Sequence, residues 1–279
     1  MWEALFFFII LQIGSSCAIM SNVTECVLNG VFMYRFYVEA SAIAEGKICI
    51  IGEDVNHIKN VLRMKKGEKL IICNGQGVDY YCIIDEVCEK EIIVNVYEQK
   101  ESEAELLTKI YLFQGLPKKD KMELIVQKAV ELGAFEVIPV MMKRSIVKLE
   151  DKKKELKKLE RWQAIAQGAA KQSGRGVIPS VHEVMSYKQA LELAKTMDMV
   201  LLPYECATGM SHTKKLVKQC VGKTSIGIFI GPEGGFDFDE IEMAKQAGFE
   251  IVTLGKRILR TETAGLTILA NLMFELQDE

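Results

Sequence analysis

The segment LGKRILRTETA, residues 254–264, places Arg257, Arg260, Thr261 and Glu262 at the start of a helix-like run. Threonine suits a helix N-cap, and glutamate suits the first turn, where the peptide dipoles favour negative charge. The two arginines are not explained that way, because a cation at a helix N-terminus is unfavourable. A planar guanidinium there is suited to an anion or a polar substrate. A second turn, FIGPEGGF at residues 229–236, carries Gly231, Gly234 and Gly235 after the apolar run 226–230. Glycine lets bare backbone approach a ligand closely. A tight strand-to-helix turn is the structural alternative. The carboxyl end of a parallel strand favours the ligand, since open sheets bind there. Two such turns in one short span predict a ligand wrapped by backbone.

Several other chemistries are excluded. GPEGG is not G-x-G-x-x-G, so a dinucleotide-binding fold is unsupported. VGKTS, residues 221–225, fails as a phosphate loop because Val217 stands where the leading glycine is required. The 8 cysteines include no C-x-x-C pair and no histidine at zinc-site spacing, so no metal is expected. Cys73 in LIICNG and Cys82 in YYCIID lie in apolar runs and read as reduced, small hydrophobes of a reducing cytoplasm. A net charge of -3 excludes a polycation, so any nucleic-acid surface must be a local patch.

The elements that would position these residues fall into two patterns. From Met33 to about Ser102, short runs rich in Val, Ile, Tyr and Cys are punctuated by turns such as NGQG and read as a small β-barrel. A helix over EDVNHIKNVLRM interrupts it, with Val55, Ile58, Val61 and Leu62 at helical spacing. EQKESEAE, residues 98–105, is the expected linker. Beyond it, strands and helices alternate, which implies a parallel sheet covered on both faces and an α/β class. In KDKMELIVQKAVELG, Asp120 and Glu123 read as a capping box with Gly133 closing the helix. Further helices are expected over 152–170, DEIEMAKQAG and 262–276.

Residues 1–32 stand apart. MWEALFFFIILQIG resembles the apolar part of a signal peptide, yet no Lys or Arg precedes Arg35. Cys17 lacks the leucine of a lipoprotein site, and the run is short for a membrane span. Two readings follow, an atypical anchor or signal and a start called too early; a start at Met33 is the expectation, with no membrane association.

Basic residues gather between Lys143 and Arg175, opposed by few acids. Lys152–Lys158 reads as a solvated helix face. KRS, with Lys143 and Arg144, and KQSGR, with Lys171, Gln172, Ser173 and Arg175, read as loops able to hold phosphates or a flipped base.

KDKMELIVQKAVELG, KRSIVKLE, KKLERWQAIAQGAAKQSGR, FIGPEGGF and LGKRILRTETA together resemble the bacterial 16S ribosomal RNA uridine-N3 methyltransferase family, of the SPOUT superfamily. The resemblance runs from about Met33 to the C-terminus. It implies a SPOUT domain over 104–279 with a deep trefoil knot, and a PUA-like RNA-binding β-barrel over 33–103. It also implies a homodimer, 16S ribosomal RNA or the small ribosomal subunit as partner, and S-adenosyl-L-methionine as cofactor. By the same likeness the cofactor is held by Leu202 and Pro203, by Ile230, Gly231, Pro232 and Gly234, and by Leu254, Gly255, Ile258 and Leu259. Arg35, His57 and Arg63 match positions of the family's barrel, and with Lys118 they join the expected RNA contacts. Methylation at N3 requires loss of a proton, for which Glu262 is the candidate acceptor or orienting group and Arg260 the candidate for stabilising the uridinate. The alternatives are a SPOUT enzyme acting on another RNA, and a non-catalytic RNA-binding assembly factor.

Overall fold

The computed structural model describes residues 24–28, 31–39, 42–44, 46–146 and 151–277. The MWEALFFFIILQIG run, Cys17 and Lys148 lie outside them. The amino-terminal part is a 7-stranded sheet ordered β1-β2-β5-β6-β7-β4-β3. Its strands are β1 (Thr24–Leu28), β2 (Val31–Tyr37), β3 (Ile43–Ala44), β4 (Lys47–Ile51), β5 (Lys69–Cys73), β6 (Val78–Val87) and β7 (Glu91–Glu101). β1 thus lies before Met33 and pairs with β2. All neighbours are antiparallel except β2 and β5. Alternation turns Ile48, Ile50, Leu70, Ile72, Ile92 and Val94 into one core.

The expected helix over EDVNHIKNVLRM is shorter than its pattern. Helix α1 (Glu53–Asn56) passes into a π-helical turn, His57–Val61. Val55 and Ile58 are buried there, but Val61 is 60 % exposed. The wider π turn rotates it off the apolar face. The expected linker is also shorter, because β7 runs through Glu101.

The second part holds a parallel sheet ordered β10-β9-β8-β13-β12-β14, with β11 also on β9. Its strands are β8 (Lys109–Gly115), β9 (Ala134–Met141), β10 (Ser180–Val181), β11 (Met185–Ser186), β12 (Met199–Pro203), β13 (Ser225–Ile230) and β14 (Glu250–Val252). The helices are α2 (Lys121–Glu131), α3 (Lys152–Ser173), α4 (Tyr187–Ala194), α5 (Met210–Gln219), α6 (Phe238–Gln246) and α7 (Thr261–Leu276). Side chains alternate between two cores. Ile226, Ile228 and Ile230 of β13 face α2, α3 and α7. Phe229 faces α4 and α6 and stacks on Phe113 with ring centroids 4.4 Å apart. Burial on both faces is why these strands read as unbroken apolar runs.

Two cap expectations are corrected. Asp120 precedes α2 but its carboxylate makes no cap bond, and Glu123 turns to Arg161 at 2.8 Å. Thr261 is the first residue of α7 rather than its cap, and Arg260 takes the N-cap position.

A buried polar network joins the two parts, and it corrects two expected RNA contacts. Arg35 is only 4 % exposed and donates to Asp79 at 2.6 Å. Arg175 is also 4 % exposed and donates to Glu105 at 2.5 Å, and to the carbonyls of Val130 and Ala134. The Tyr37 hydroxyl donates to the Arg175 carbonyl, closing the junction from the β-sheet side. Both guanidinium groups turn inward to partners inside the protein, and the Arg35 Nε is buried without one. Glu105 also accepts the backbone N–H groups of Gly176 and Val177 at 2.9 and 3.1 Å. KQSGR is likewise not a free loop: Lys171, Gln172 and Ser173 form the last turn of α3, closed by Gly174 at φ 71°.

Candidate active site

The loops after β12, β13 and β14 converge, because these three strands are adjacent and parallel. They enclose a cavity of about 530 Å³. That lies within the usual range for a site holding a cofactor-sized molecule. Of the residues expected at a cofactor, Pro203, Ile230, Gly231, Pro232, Gly234, Leu254, Gly255, Ile258 and Leu259 line it. Leu202 does not, for its side chain is fully buried in the core beside Phe113. Tyr204, Glu205 and Lys121 line the cavity as well.

Short-range bonds hold the loops in place. Thr213 of α5 and Thr253 exchange hydrogen bonds of 3.0 and 3.1 Å, fixing the start of the last loop. The Thr253 hydroxyl accepts from the Gly255 N–H at 3.2 Å. Gly255 has φ +115°, a backbone region that side chains rarely allow. The Thr261 hydroxyl donates to the Gly231 carbonyl at 2.6 Å and accepts from Gln114 at 2.8 Å. One hydroxyl therefore ties the glycine turn to the last helix. Gly115 ends β8 against that turn, where an added Cβ would stand 2.7 Å from the Pro232 nitrogen.

The charges divide unevenly. Arg260 lines the cavity, and Arg257 does too. Among the described residues no carboxylate pairs with either, which leaves both free for an outside partner. Glu262 does not line the cavity. Its carboxylate lies 3.2 Å from the Lys121 ammonium, which is also 3.2 Å from Glu233 of the glycine turn. Burial would lower the Lys121 ammonium, but the two carboxylates more than offset it and hold it above its ordinary value. Burial would likewise raise the Glu233 carboxyl, yet the backbone N–H groups and Lys121 keep it low. Lys121 lies within KDKMELIVQKAVELG, whose pattern assigns it no chemical role. Its one signal was a cation at a helix N-terminus, the anomaly already noted for the arginines.

The other expected RNA contacts fall in three places. Lys118 is exposed beside the cavity, and its N–H donates to Glu233 at 3.1 Å. Lys143 and Arg144 are partly spent on acids of the α6 N-terminus. The Lys143 ammonium is 2.8 Å from Asp237 and 3.0 Å from Asp239, while Arg144 reaches Asp237 at 3.5 Å and the Gly234 carbonyl at 3.2 Å. KRS therefore packs on the glycine turn itself. Lys171, whose ammonium lies over the Tyr37 ring, and His57 both act on Asp54. Burial pushes the Asp54 carboxyl up, and these two groups oppose it. Arg63 is exposed nearby with φ 55°, Gln172 is exposed, and the Ser173 hydroxyl turns back to the Ala169 carbonyl.

Among the described residues no helix is long and apolar enough to cross a membrane. None of them gather as a group of three or more metal-binding side chains.

Comparison with known proteins agrees with this layout. Residues 103–273 match the RNA methyltransferase domain family and residues 50–97 the RNA methyltransferase PUA domain family. The ribosomal RNA small subunit methyltransferase E of Bacillus subtilis is 38% identical over 251 residues, covering 88% of this chain and 98% of the relative. That of Mesomycoplasma hyopneumoniae is 35% identical, covering 85% and 97%. The crystal structure of the Neisseria gonorrhoeae protein of that name, bound to S-adenosyl methionine, superposes with a TM-score of 0.70. It is 31% identical and covers 85% of this chain and 95% of that one. A matched catalytic domain over most of the chain, with relatives matched almost end to end, places this protein in the ribosomal RNA small subunit methyltransferase E family.

Proposed function

We propose that this protein methylates N3 of a specific uridine in 16S ribosomal RNA, using S-adenosyl-L-methionine held in the cavity at the ends of β12, β13 and β14. The observation that carries the reading is that cavity: about 530 Å³, walled by two glycine turns, with Arg260 at its edge. The residues present fit the cofactor. Gly231, Gly234 and Gly255 offer bare backbone for hydrogen bonds to an adenosine, and Leu254, Ile258 and Leu259 offer apolar cover. When bound, the cofactor supplies an electrophilic methyl group on a sulfonium.

The chain's own residues do the remainder. N3 of uracil carries a proton at neutral pH; stabilising the uridinate lowers the N3 pKa, so that the proton passes to water before the nitrogen takes the methyl. Arg260, unpaired among the described residues, faces the oxygen on which the uridinate charge collects. Glu262, turned to Lys121, acts as an orienting group. Excluding water favours a step in which opposite charges cancel. Holding the two reactants in line contributes up to ~7–11 kcal/mol. N3 lies on the Watson–Crick edge, so the target base must be unpaired or flipped.

A threaded, knotted path belongs to this reading. A homodimer belongs to the same reading, as the family resemblance implies. The cytoplasm is the matching compartment for an enzyme of the ribosome. Calorimetric titration with S-adenosyl-L-methionine tests the site. A saturable one-site heat is expected, and no heat with folded protein would overturn the reading.

A further inference from the structure

We propose that Lys121 is a positioning residue of this site: its ammonium bridges Glu233 and Glu262 across the cleft edge and so holds the glycine turn against the start of α7. The inference rests on the cofactor reading above. Three separated segments meet at this one ammonium. Glu233 belongs to the turn after β13, Glu262 to the first turn of α7, and Lys121 opens α2. Glu233 is in turn anchored to the segment before α2 through the Lys118 N–H. Both carboxylates are largely covered, with side-chain exposures of 25% and 14%, so their repulsion is poorly screened by water.

The surrounding charges leave no substitute for Lys121. On α2, Glu123 is paired with Arg161 of α3; just before it Lys118, Lys119 and Asp120 are exposed, and neither lysine ammonium pairs with Glu233 or Glu262 among the described residues. The last loop brings Lys256, Arg257 and Arg260 to the cavity, and none pairs with Glu233 or Glu262 among the described residues. A chain lacking the ammonium would hold two ionised carboxylates facing one unneutralised gap. The turn and the helix, still tied through the Thr261 hydroxyl, would then be pushed apart at Glu233 and Glu262, and the cofactor loops would lose their spacing.

The test is a set of cofactor titrations over pH, with amide hydrogen exchange of residues 231–235 measured without cofactor. Lys121→Met should bind S-adenosyl-L-methionine about tenfold more weakly at neutral pH, a coupling typical of one charged network. Its affinity should recover as pH falls into the carboxylate range and one acid takes a proton, while the wild type shows no such gain. Lys121→Arg should restore most of the affinity, and so should the Lys121→Met/Glu233→Gln pair, which also serves if Lys121→Met alone fails to fold. Exchange at 231–235 should quicken in Lys121→Met and return in the pair. Unchanged exchange and a wild-type affinity profile in Lys121→Met would overturn the inference. A wild type that binds no cofactor would overturn the functional reading instead, and the exchange data would still decide the tie.

Discussion

Arg260 and Lys121 are both cations at the start of a helix, yet they do different work. Lys121 is satisfied by two carboxylates, whereas Arg260 has none among the described residues and lines the cavity. Arg260→Ala should therefore cut kcat by roughly 10²-fold, as for loss of one stabilising donor, and leave cofactor affinity nearly unchanged. Equal loss in both would assign Arg260 to cofactor binding. Gly115 makes a steric prediction. An added Cβ would meet Pro232 atoms at 2.7 Å and the Met142 sulfur at 2.9 Å. Gly115→Ala should cost about 1–3 kcal/mol in denaturant unfolding and weaken the cofactor heat by displacing the turn; unchanged values would show that the turn yields freely. At this scale the glycine turns were legible, because glycine and its neighbours announce backbone conformation locally. Lys121, Arg35 and Arg175 were not, because what each touches is set by chain segments far away in sequence.

The elements of the catalytic part were visible in the alternation of apolar runs and amphipathic stretches, and their bounds in several cases agree within a residue or two. Helices α4 and α5 escaped the pattern reading, although Ser186 and Gln189 form a full capping box at α4. The end of α3 was misjudged. Its polar KQS sequence suggested a loop, while Gly174 was the true stop signal, in the left-handed conformation that closes a helix. That placement makes Arg175 a structural tie. Arg175→Met removes the pair with Glu105 and the bonds to two carbonyls. It should cost about 3–5 kcal/mol in denaturant unfolding; a loss under about 0.5 kcal/mol would be that of an ordinary surface change. The KRS segment gives a pH test. The Lys143 hydrogen bond keeps the Asp237 carboxyl below its ordinary 3.8. A depressed carboxyl contributes stability above its unfolded value and loses it as pH falls through the folded one. The Tm of wild type should exceed that of Lys143→Met at pH 7, and the gap should close in acid below 3.8. A gap that persists unchanged would remove Asp237 as the partner.

At the scale of the whole molecule, a predominantly antiparallel sheet is bolted to a parallel one by the buried junction of Arg35, Tyr37, Glu105 and Arg175. A net charge of -3 leaves RNA attraction to local patches. Several of the basic residues between 143 and 175 are already matched, as Lys143, Arg144, Arg161 and Arg175 show. The salt dependence of RNA binding should therefore be shallow for so many lysines and arginines. At about 0.7 per phosphate on single strands, it should report a handful of contacts, and a slope matching every basic residue in that stretch would show that these pairs open on binding. The alternation of the two patterns gave away the two-part organisation, whereas the junction depends on contacts that no local window contains. The most direct test is mass mapping of 16S ribosomal RNA after incubation of small subunits from a strain lacking this enzyme with the purified protein and S-adenosyl-L-methionine. One added methyl, on N3 of a single uracil, is the expected product. An unmodified RNA, or a methyl on a ribose or another base, would contradict the proposed reaction.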